Sequence, residues 1–301
     1  MLETGNARVK WVVAGILFAA LWASAATATK IGLAVAQPLV IGEVRFGIAA
    51  IIMLMIAHVI QRQRFPAGKE WKQLAIYGLL NITIYLGCYV IAMQTITAGI
   101  GALTIATNPV FISFFSVIFL KKKLTWPIIT ALVVCTAGVL CAAWPLFAEA
   151  TVTTGGLLLL LFSMLCYSLG AIYFSSRQWN GLSLFTINGW QTFLGGLFLL
   201  PVTLFFYKDS ANQFDHTFWW SVGWLAIPVS IVAVQLWLWL LQTNAVRAGL
   251  WLFLCPLFGY VFAAWWMNDA ISSYTVAGVL LVIWGLLLSK INTRKNEIVF
   301  D

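Results

Sequence analysis

Apolar runs as long as a membrane is thick follow one another along this sequence, separated by short polar breaks. An α-helix needs about 20 mostly apolar residues to cross the hydrocarbon core of a bilayer. The sequence predicts ten such spans, at about residues 11–29, 38–60, 73–96, 98–120, 125–147, 155–175, 182–207, 218–243, 248–268 and 272–290. We therefore expect an all-α polytopic membrane protein embedded in a lipid bilayer.

The composition excludes most other classes of protein. With 62% hydrophobic and 9% charged residues, a water-soluble fold is close to excluded, because soluble domains carry about a quarter charged residues. The formal net charge is +8, but the basic residues lie in short clusters between the spans, so no nucleic acid partner is expected. The five cysteines fall inside apolar spans without a C-x-x-C pair, which indicates packing residues. Neither a metal nor another cofactor is expected.

The positions of the basic residues predict the orientation of the chain. If the N-terminus lies in the cytoplasm, nearly all of the 17 Lys and Arg residues fall in cytoplasmic segments. The exceptions are Lys30 and Lys208 on the opposite side, and Arg45 within the second span. Cytoplasmic loops of membrane proteins carry an excess of Lys and Arg. We therefore expect both termini in the cytoplasm.

The stretch 98–144 returns at 245–291, which predicts two halves, residues 1–150 and 151–301. The two copies match without a gap at Ala98/Ala245, Leu103/Leu250, Pro109/Pro256, Phe111/Phe258, Phe115/Phe262, Gly138/Gly285 and Leu140/Leu287. Each half holds five spans, an odd number, so the halves are expected to be inverted relative to each other. Inverted repeats are typical of secondary transporters. The alternative is that two apolar hairpins share Leu and Phe by composition alone.

The first span could also be read as a cleaved signal, since Arg8 and Lys10 precede it and residues 23–25 resemble a cleavage site. We interpret it as a retained span, because Trp22 within it has a counterpart at Tyr167 in the sixth span. Its removal would break the five-plus-five repeat.

Several short motifs resemble a known family. They are Leu21-Trp22-Ala23-Ser24, Arg45-Phe46, Asn108-Pro109-Val110-Phe111, Lys123-Leu124-Thr125 and Ala137-Gly138-Val139. Over essentially its whole length, the chain resembles the drug/metabolite transporter (DMT) superfamily, EamA type. Its aromatic content and the second-half pattern of Ala248-Gly249-Leu250 with Pro256 look most like the bacterial aromatic amino acid exporters (YddG type). This resemblance implies a bacterial inner-membrane carrier that exports aromatic and other neutral amino acids.

Polar residues inside spans are candidates for a transport pathway, because they are costly unless they face a cavity or a partner. In the third span, Asn81 and Tyr85 share a helical face with Tyr89 on its flank, and the matching face of the eighth span carries Gln235 and Trp239. The alternative is that these residues make interhelical hydrogen bonds, which contribute only about 0.6–2 kcal/mol each.

Trp22 and Tyr167 occupy equivalent places, and their rings would suit a flat apolar side chain or an ammonium group. We therefore expect Trp22, Tyr85, Tyr167 and Trp239 to form the apolar walls of a midplane site. Asn81, Asn108 and Gln235 would supply its hydrogen bonds to an amino acid. No charged partner for the zwitterion is expected there.

Pro109 and Pro256 each break a backbone hydrogen bond inside a span and are expected to act as hinges, or simply to shape the helix. Asn108 could cap the group that Pro109 frees.

Glu43 is the one carboxylate well inside a predicted span, and Arg45 lies two residues away, too close in sequence to share its helical face. It is a candidate coupling site, or else serves with Arg45 in helix docking. The scarcity of buried acids favours facilitated, uncoupled transport over proton antiport.

Three other functions compete with that of an amino acid exporter. One is a proton-coupled exporter of other small metabolites or drugs. An intramembrane enzyme would need a nucleophile with a base, an acid pair or metal ligands, and the sequence offers no such set. The inverted repeat disfavours a channel or a receptor. The oligomeric state is left open between a monomer and a homodimer.

Overall fold

The computed structural model of this protein describes residues 5–96, 98–149, 153–267 and 273–291, and these are almost entirely helical. The helices are α1 Gly5–Leu33, α2 Pro38–Ile60, α3 Lys69–Ala92, α4 Ala98–Ile105, α5 Asn108–Leu120, α6 Trp126–Glu149, α7 Thr154–Ser176, α8 Leu184–Phe206, α9 His216–Thr243, α10 Ala245–Leu250, α11 Leu254–Met267 and α12 Ser273–Ile291. A short 3₁₀ turn, Trp251–Phe253, joins α10 to α11.

Seven helices in the described part of the chain are long and apolar enough to cross a membrane. They are Val9–Leu33, Pro38–Ile60, Lys69–Ala92, Leu103–Leu120, Thr154–Ser176, Leu184–Phe206 and His216–Thr243. Shorter apolar segments follow at Trp126–Ala142, Ala245–Gly259 and Val276–Leu288. Large apolar side chains such as Ile51, Phe119 and Leu204 are exposed on the outside of the bundle, where lipid would surround them. The chain is an all-helical, polytopic membrane protein.

Two of the predicted spans are broken near their prolines. The chain leaves the helix after Ile105 and starts a new one at Asn108, so Pro109 lies in the first turn of α5. Pro256 lies likewise in the first turn of α11, after the 3₁₀ turn. A first-turn proline loses no helical hydrogen bond, because that N–H has no partner in any helix. The prolines therefore begin helices rather than kink them, and a hinge role stays a prediction.

α2, α3 and α9 contain π-helical segments at Met55–Ile60, Leu79–Ile84 and Leu225–Ala233. A π-helical turn carries more residues than an α-helical turn, so the face that a helix presents is rotated beyond such a segment. Pro228 lies inside the longest of the three. This changes which residues of α9 point inward.

The helices pack in a set of recurring pairs. α1 packs against α9 and α11, and α7 packs against α3 and α5. α2 lies along α8, and α6 lies along α12. One large cluster of buried side chains from α1, α3, α7 and α9 fills the interior between these pairs.

α6 and α12 approach each other at glycines. A Cβ added to Gly138 would lie 2.8 Å from the carbonyl oxygen of Gly278, and one added to Gly285 would lie 3.2 Å from that of Ala131. Between these contacts, Cys135 Sγ donates a hydrogen bond to the carbonyl of Val282 at 3.5 Å. Small residues allow membrane helices to pack backbone against backbone, where dispersion and weak hydrogen bonds hold them.

Loop residues join the helices at both ends of α2. At its start, the backbone N–H of Gln37 donates to Asn212 Oδ1 at 2.8 Å, and Asn212 Nδ2 donates to Gln37 Oε1 at 2.9 Å. Gln37 Nε2 also donates to the carbonyl of Phe206. We call this set the Gln37 clasp.

Beyond the end of α2, Arg64 donates two hydrogen bonds to the carboxylate of Glu70, at 2.7 and 2.8 Å. Arg64 Nη2 also donates to the carbonyl of Asn180 at 2.8 Å, and Asn180 Nδ2 donates to Glu70 Oε1. This Arg64 clasp connects the loop before α3 with the loop before α8.

Gly278→Ala should destabilise the protein, because the new methyl group would meet the backbone of Gly138 and the side chain of Ala142. Overpacking of this kind costs about 1–3 kcal/mol, which corresponds to a fall in melting temperature of about 2–10 °C for a chain of this size. Thermal unfolding of the purified protein in detergent measures the change. Gly223→Ala is the matched control, because nothing lies within 4 Å of its added Cβ. Equal melting temperatures for the two variants would contradict the packing described for α6 and α12.

Candidate functional site

Six aromatic side chains from four helices meet inside the bundle. This aromatic cluster consists of Phe18, Trp22, Tyr85, Tyr89, Tyr167 and Trp237, all buried. Tyr167 is at its centre, with ring centroids 4.8 Å from Tyr85, 5.7 Å from Trp237 and 5.8 Å from Trp22. The hydroxyl of Tyr167 is buried and has no hydrogen-bond partner among the described residues.

Helical spacing explains how these rings come together. Phe18 and Trp22 lie four residues apart on α1, as do Tyr85 and Tyr89 on α3, and residues four apart share one face of a helix. The ring of Phe18 also stacks on Trp237 of α9, with centroids 4.9 Å apart. α1 and α3 come from the first half of the sequence, and α7 and α9 from the second, so both halves contribute rings.

The structure brings together four of the residues predicted for the site: Trp22, Tyr85, Tyr89 and Tyr167. It does not place Trp239 with them, because that side chain points outward and is 38% exposed, whereas Trp237 is 1% exposed. The prediction that Trp239 faces the interior is therefore wrong, and the Trp of α9 that does so is Trp237.

The π-helical segment explains the shift on α9. It spans nine residues, Leu225–Ala233, against six, Leu79–Ile84, in α3. The buried face of α9 beyond this segment therefore differs from the one assumed from sequence, and it carries Trp237 in place of Trp239. Gln235 also lies away from the cluster, where its Nε2 donates to the carbonyl of Leu184 at 3.2 Å.

A buried chain of amides runs from α3 into α8. Asn81 Nδ2 donates to Gln191 Oε1 at 3.2 Å, and Gln191 Nε2 donates to Asn188 Oδ1 at 2.9 Å. Asn188 Nδ2 in turn donates to the carbonyl of Ser230 on α9 at 3.0 Å. The chain links α3, α8 and α9, and it uses one N–H of Asn81, a residue expected to bind substrate.

The sequence analysis did not identify this amide chain, although the sequence contains a signal for it. Asn188, Gln191 and Thr192 stand three and four residues apart inside a predicted span, so one helical face is polar. All three side chains are buried. A polar face within a membrane span points to a partner inside the protein.

Asn108 is buried between α5 and α7. Its Nδ2 lies 3.2 Å from Met164 Sδ, and its Oδ1 accepts a hydrogen bond from Ser168 at 3.1 Å. Both of its described side-chain hydrogen bonds go to α7, so the capping predicted for it is not what the structure shows. Asn108 instead docks α5 on α7 beside the aromatic cluster.

The side chain of Arg45 is buried between α2 and α9. It is 2% exposed, and its Nε donates to Ser230 Oγ on α9 at 2.7 Å. α2, which carries Arg45, packs against the Tyr85–Ala92 part of α3. The sequence analysis offered helix docking as one role for Arg45, and its hydrogen bond to Ser230 joins α2 to α9.

Glu43 points to the other side of α2. Its Oε1 accepts a hydrogen bond from Thr203 Oγ1 of α8 at 3.4 Å, and the carboxylate lines a groove of about 150 Å³ between α2 and α8. It therefore lies apart from Arg45 and from the aromatic cluster.

The larger of the two described cavities, about 300 Å³, lies elsewhere as well. It is apolar and bounded by α4, α5 and α6, with Leu103, Phe111 and Val139 among its lining residues. The rings of the aromatic cluster contact one another in this conformation.

A polytopic helical protein with polar and aromatic side chains gathered inside its bundle has the construction of a membrane transporter. The family comparison agrees with this class. The profile of the EamA-like transporter family matches residues 9–144 and again 154–291. The chain belongs to the EamA-like transporter family, within the DMT superfamily, and it is a multi-pass membrane transporter.

Two relatives are described by name as uncharacterised transporters. The "Uncharacterized transporter YoaV" of Bacillus subtilis (strain 168) is 23% identical over 95% of this chain and 99% of its own length. The "Uncharacterized inner membrane transporter YedA" of Escherichia coli (strain K12) is 24% identical over 76% of this chain and 74% of its own. A solved crystal structure matches with a TM-score of 0.76, covering 96% of this chain and 99% of that one, at 16% identity. At that identity, the likeness shows the fold alone.

Trp237→Ala should destabilise the protein far more than Trp239→Ala. The first removes a buried ring that contacts Phe18 and Tyr167, and truncating a core Trp costs about 3–5 kcal/mol. The second shortens an outward-facing side chain, and surface substitutions usually stay within about 0.5 kcal/mol. Denaturant unfolding of both variants in detergent micelles measures the difference. Similar losses in the two would contradict the orientation of α9 described above.

Proposed function

We propose that this protein is a carrier that exports amino acids, aromatic and other neutral ones, across the bacterial inner membrane by alternating access, without a coupling ion. The observation that carries this proposal is the aromatic cluster, in which rings from both halves of the chain face each other inside the bundle.

The architecture that we propose is ten transmembrane helices in two inverted five-helix repeats, residues 1–150 and 151–301, with both termini in the cytoplasm. The contacts between α6 and α12 support it, since Cys135 and Val282, which contact each other, are equivalent positions of the sequence repeat. The contact of Gly138 with Gly278 is mirrored by that of Gly285 with Ala131. Reciprocal contacts between equivalent residues are what a twofold axis produces.

The matching positions Trp22 and Tyr167 support the same axis, because their rings also lie side by side, 5.8 Å apart between centroids. The two stretches matched by the family profile correspond to the proposed repeats. In this arrangement the helix breaks before Pro109 and Pro256 occupy equivalent positions of the two repeats and serve as the hinges.

The proposed substrate site lies where the rings of the aromatic cluster meet. Parting them would expose flat apolar walls, formed by Trp22, Tyr85, Tyr167 and Trp237. Such walls suit the side chain of an aromatic or large neutral amino acid, and a ring face also attracts an ammonium group. Sites of this kind are mostly apolar with a few convergent polar groups. The unpaired hydroxyl of Tyr167 is one such group.

Alternating access requires the bundle to open at one end at a time. The Gln37 clasp and the Arg64 clasp each join a loop of the first half to a loop of the second, at opposite ends of α2. Both are formed in this conformation, and the rings between them are in contact. We interpret this conformation as a closed intermediate of the transport cycle, from which either clasp can open.

Counterflow tests the proposed function. Purified protein is reconstituted into liposomes that are loaded with one unlabelled amino acid, and uptake of the same labelled amino acid is followed. A carrier accelerates labelled uptake when the inside is loaded with substrate, whereas an enzyme or a receptor does not. We expect acceleration with phenylalanine, tryptophan and other large neutral amino acids, and little with glutamate or lysine. Protein-free liposomes are the control. No acceleration with any member of the panel would refute amino acid transport.

Glu43→Gln should leave both counterflow and net export largely intact, because the proposed carrier needs no titrating carboxylate. Gln can keep the contact with Thr203, since its amide oxygen also accepts a hydrogen bond. The measurement is uptake into liposomes with and without an imposed pH gradient. Trp126→Ala, an exposed side chain at the start of α6, is the control and should alter neither. If Glu43→Gln abolishes flux driven by the pH gradient while counterflow persists, transport is proton-coupled and Glu43 carries the proton.

A further inference from the structure

The positive charge of Arg45 is buried inside the bundle without a counterion. Its side chain is 2% exposed. Among the residues that the structure describes, the one ion pair joins Arg64 and Glu70 at one end of the bundle. A charged side chain at membrane depth is costly and normally faces a partner or a transport pathway.

Most of the hydrogen-bonding capacity of Arg45 is unused. A guanidinium carries five N–H donors in a fixed plane, and only Nε has a partner, Ser230 Oγ at 2.7 Å. Nη1 and Nη2 make no hydrogen bond to any residue that the structure describes. The ring of Phe46 lies 5.7 Å from Cζ, which offers a face to the cation but no anion. The outer fork of the guanidinium is therefore available to a ligand.

The helix that carries this fork packs against the proposed substrate site. α2 contacts the Tyr85–Ala92 part of α3, and this part carries two members of the aromatic cluster, Tyr85 and Tyr89. Glu43, two residues away in sequence, cannot supply the missing negative charge, because its carboxylate contacts Thr203 on α8. The cation thus lies on a helix that packs against the part of α3 carrying these rings, and it has no carboxylate partner among the described residues.

We propose that Arg45 binds the carboxylate of the transported substrate, with Nη1 and Nη2 each donating to one of its oxygens. Paired N–H donors match the two oxygens of a carboxylate, and such charge-assisted pairs are about twice as strong as neutral hydrogen bonds. Ser230 holds Nε and so orients the fork, while the aromatic cluster receives the apolar part of the substrate.

This inference rests on the proposed carrier function and narrows it to substrates with a carboxylate next to a flat or apolar group. It also replaces the expectation that the zwitterion of an amino acid would find no charged partner.

Binding to the full-length protein in detergent tests the assignment. Phenylpropionate and phenylpropionamide have the same ring and chain, but only the first carries a carboxylate. We expect the wild-type protein to bind the acid at least about tenfold more tightly than the amide, as measured by calorimetry or by ligand-dependent thermal stabilisation. Arg45→Gln should bind the two equally. Arg45→Lys keeps the charge but loses the fork, so its affinity for the acid should fall by about tenfold.

Two further variants complete the test. Arg177→Gln is the matched control, because Arg177 is exposed and lies over the ring of Tyr173 at 4.5 Å, so it should behave as the wild type does. Ser230→Ala should weaken binding of the acid but not of the amide, since it only releases Nε. This variant and Arg45→Lys decide the question even if Arg45→Gln does not fold.

Each outcome separates the carboxylate site from the carrier. Any of three results would overturn the role of Arg45. The wild-type protein could bind the acid and the amide with equal affinity, or it could bind neither. The preference for the acid could also remain unchanged in Arg45→Lys and Ser230→Ala. Counterflow of amino acids alongside such a result would leave the carrier standing without this site. A preference for the acid that depends on Arg45, in a protein without counterflow, would support the site and refute amino acid transport.

Discussion

A polar side chain buried in a membrane protein needs a partner within the protein, because the bilayer provides neither water nor counterions. This constraint explains the arrangement of the interior. The amides of Asn81, Gln191 and Asn188 satisfy one another from α3 to α9, so these helices are held by hydrogen bonds as well as by packing. Arg45 differs from these amides, since its positive charge has a hydroxyl partner but no carboxylate partner among the described residues. A buried charge that lacks a counterion indicates a binding site for a ligand, whereas amides that bond one another indicate helix packing.

The sequence was most informative where a pattern depends on one continuous helix. Phe18 with Trp22 and Tyr85 with Tyr89 are four residues apart, so each pair shares one helical face, and all four side chains are buried. The prediction for Trp239 failed because hydropathy does not reveal a π-helical segment. The nine residues Leu225–Ala233 form such a segment, and the faces of the helix are rotated beyond it. Pro109 was expected to act as a hinge within one span, whereas the helix ends before it in a turn at residues 106–107, whose N–H groups donate to the carbonyls of Leu103 and Thr104.

The partners of polar residues were the other part that sequence could not supply. Asn108 was available in principle to cap α5 or to contact a substrate, and only the position of α7 assigns it to Met164 and Ser168. Glu43 and Arg45 are close in the chain, but they face α8 and α9 respectively. Which of two neighbouring charges meets the aromatic rings is decided by helix rotation, and periodicity alone leaves that rotation open when an entire span is apolar.

The strengths of the contacts indicate where such a bundle can move. The Arg64 clasp is a bidentate pair, but the Arg64 side chain is 45% exposed, and exposed ion pairs contribute only about 0–1 kcal/mol. The Gln37 clasp consists of neutral hydrogen bonds near the surface, each of similarly modest net strength. Between α6 and α12, by contrast, Gly138 and Gly278 bring two backbones into direct contact, and sliding there would cause steric overlap along the whole interface. Opening at either clasp therefore costs less than shearing this pair, and α6 with α12 provides the fixed reference against which the ends of the other helices can part.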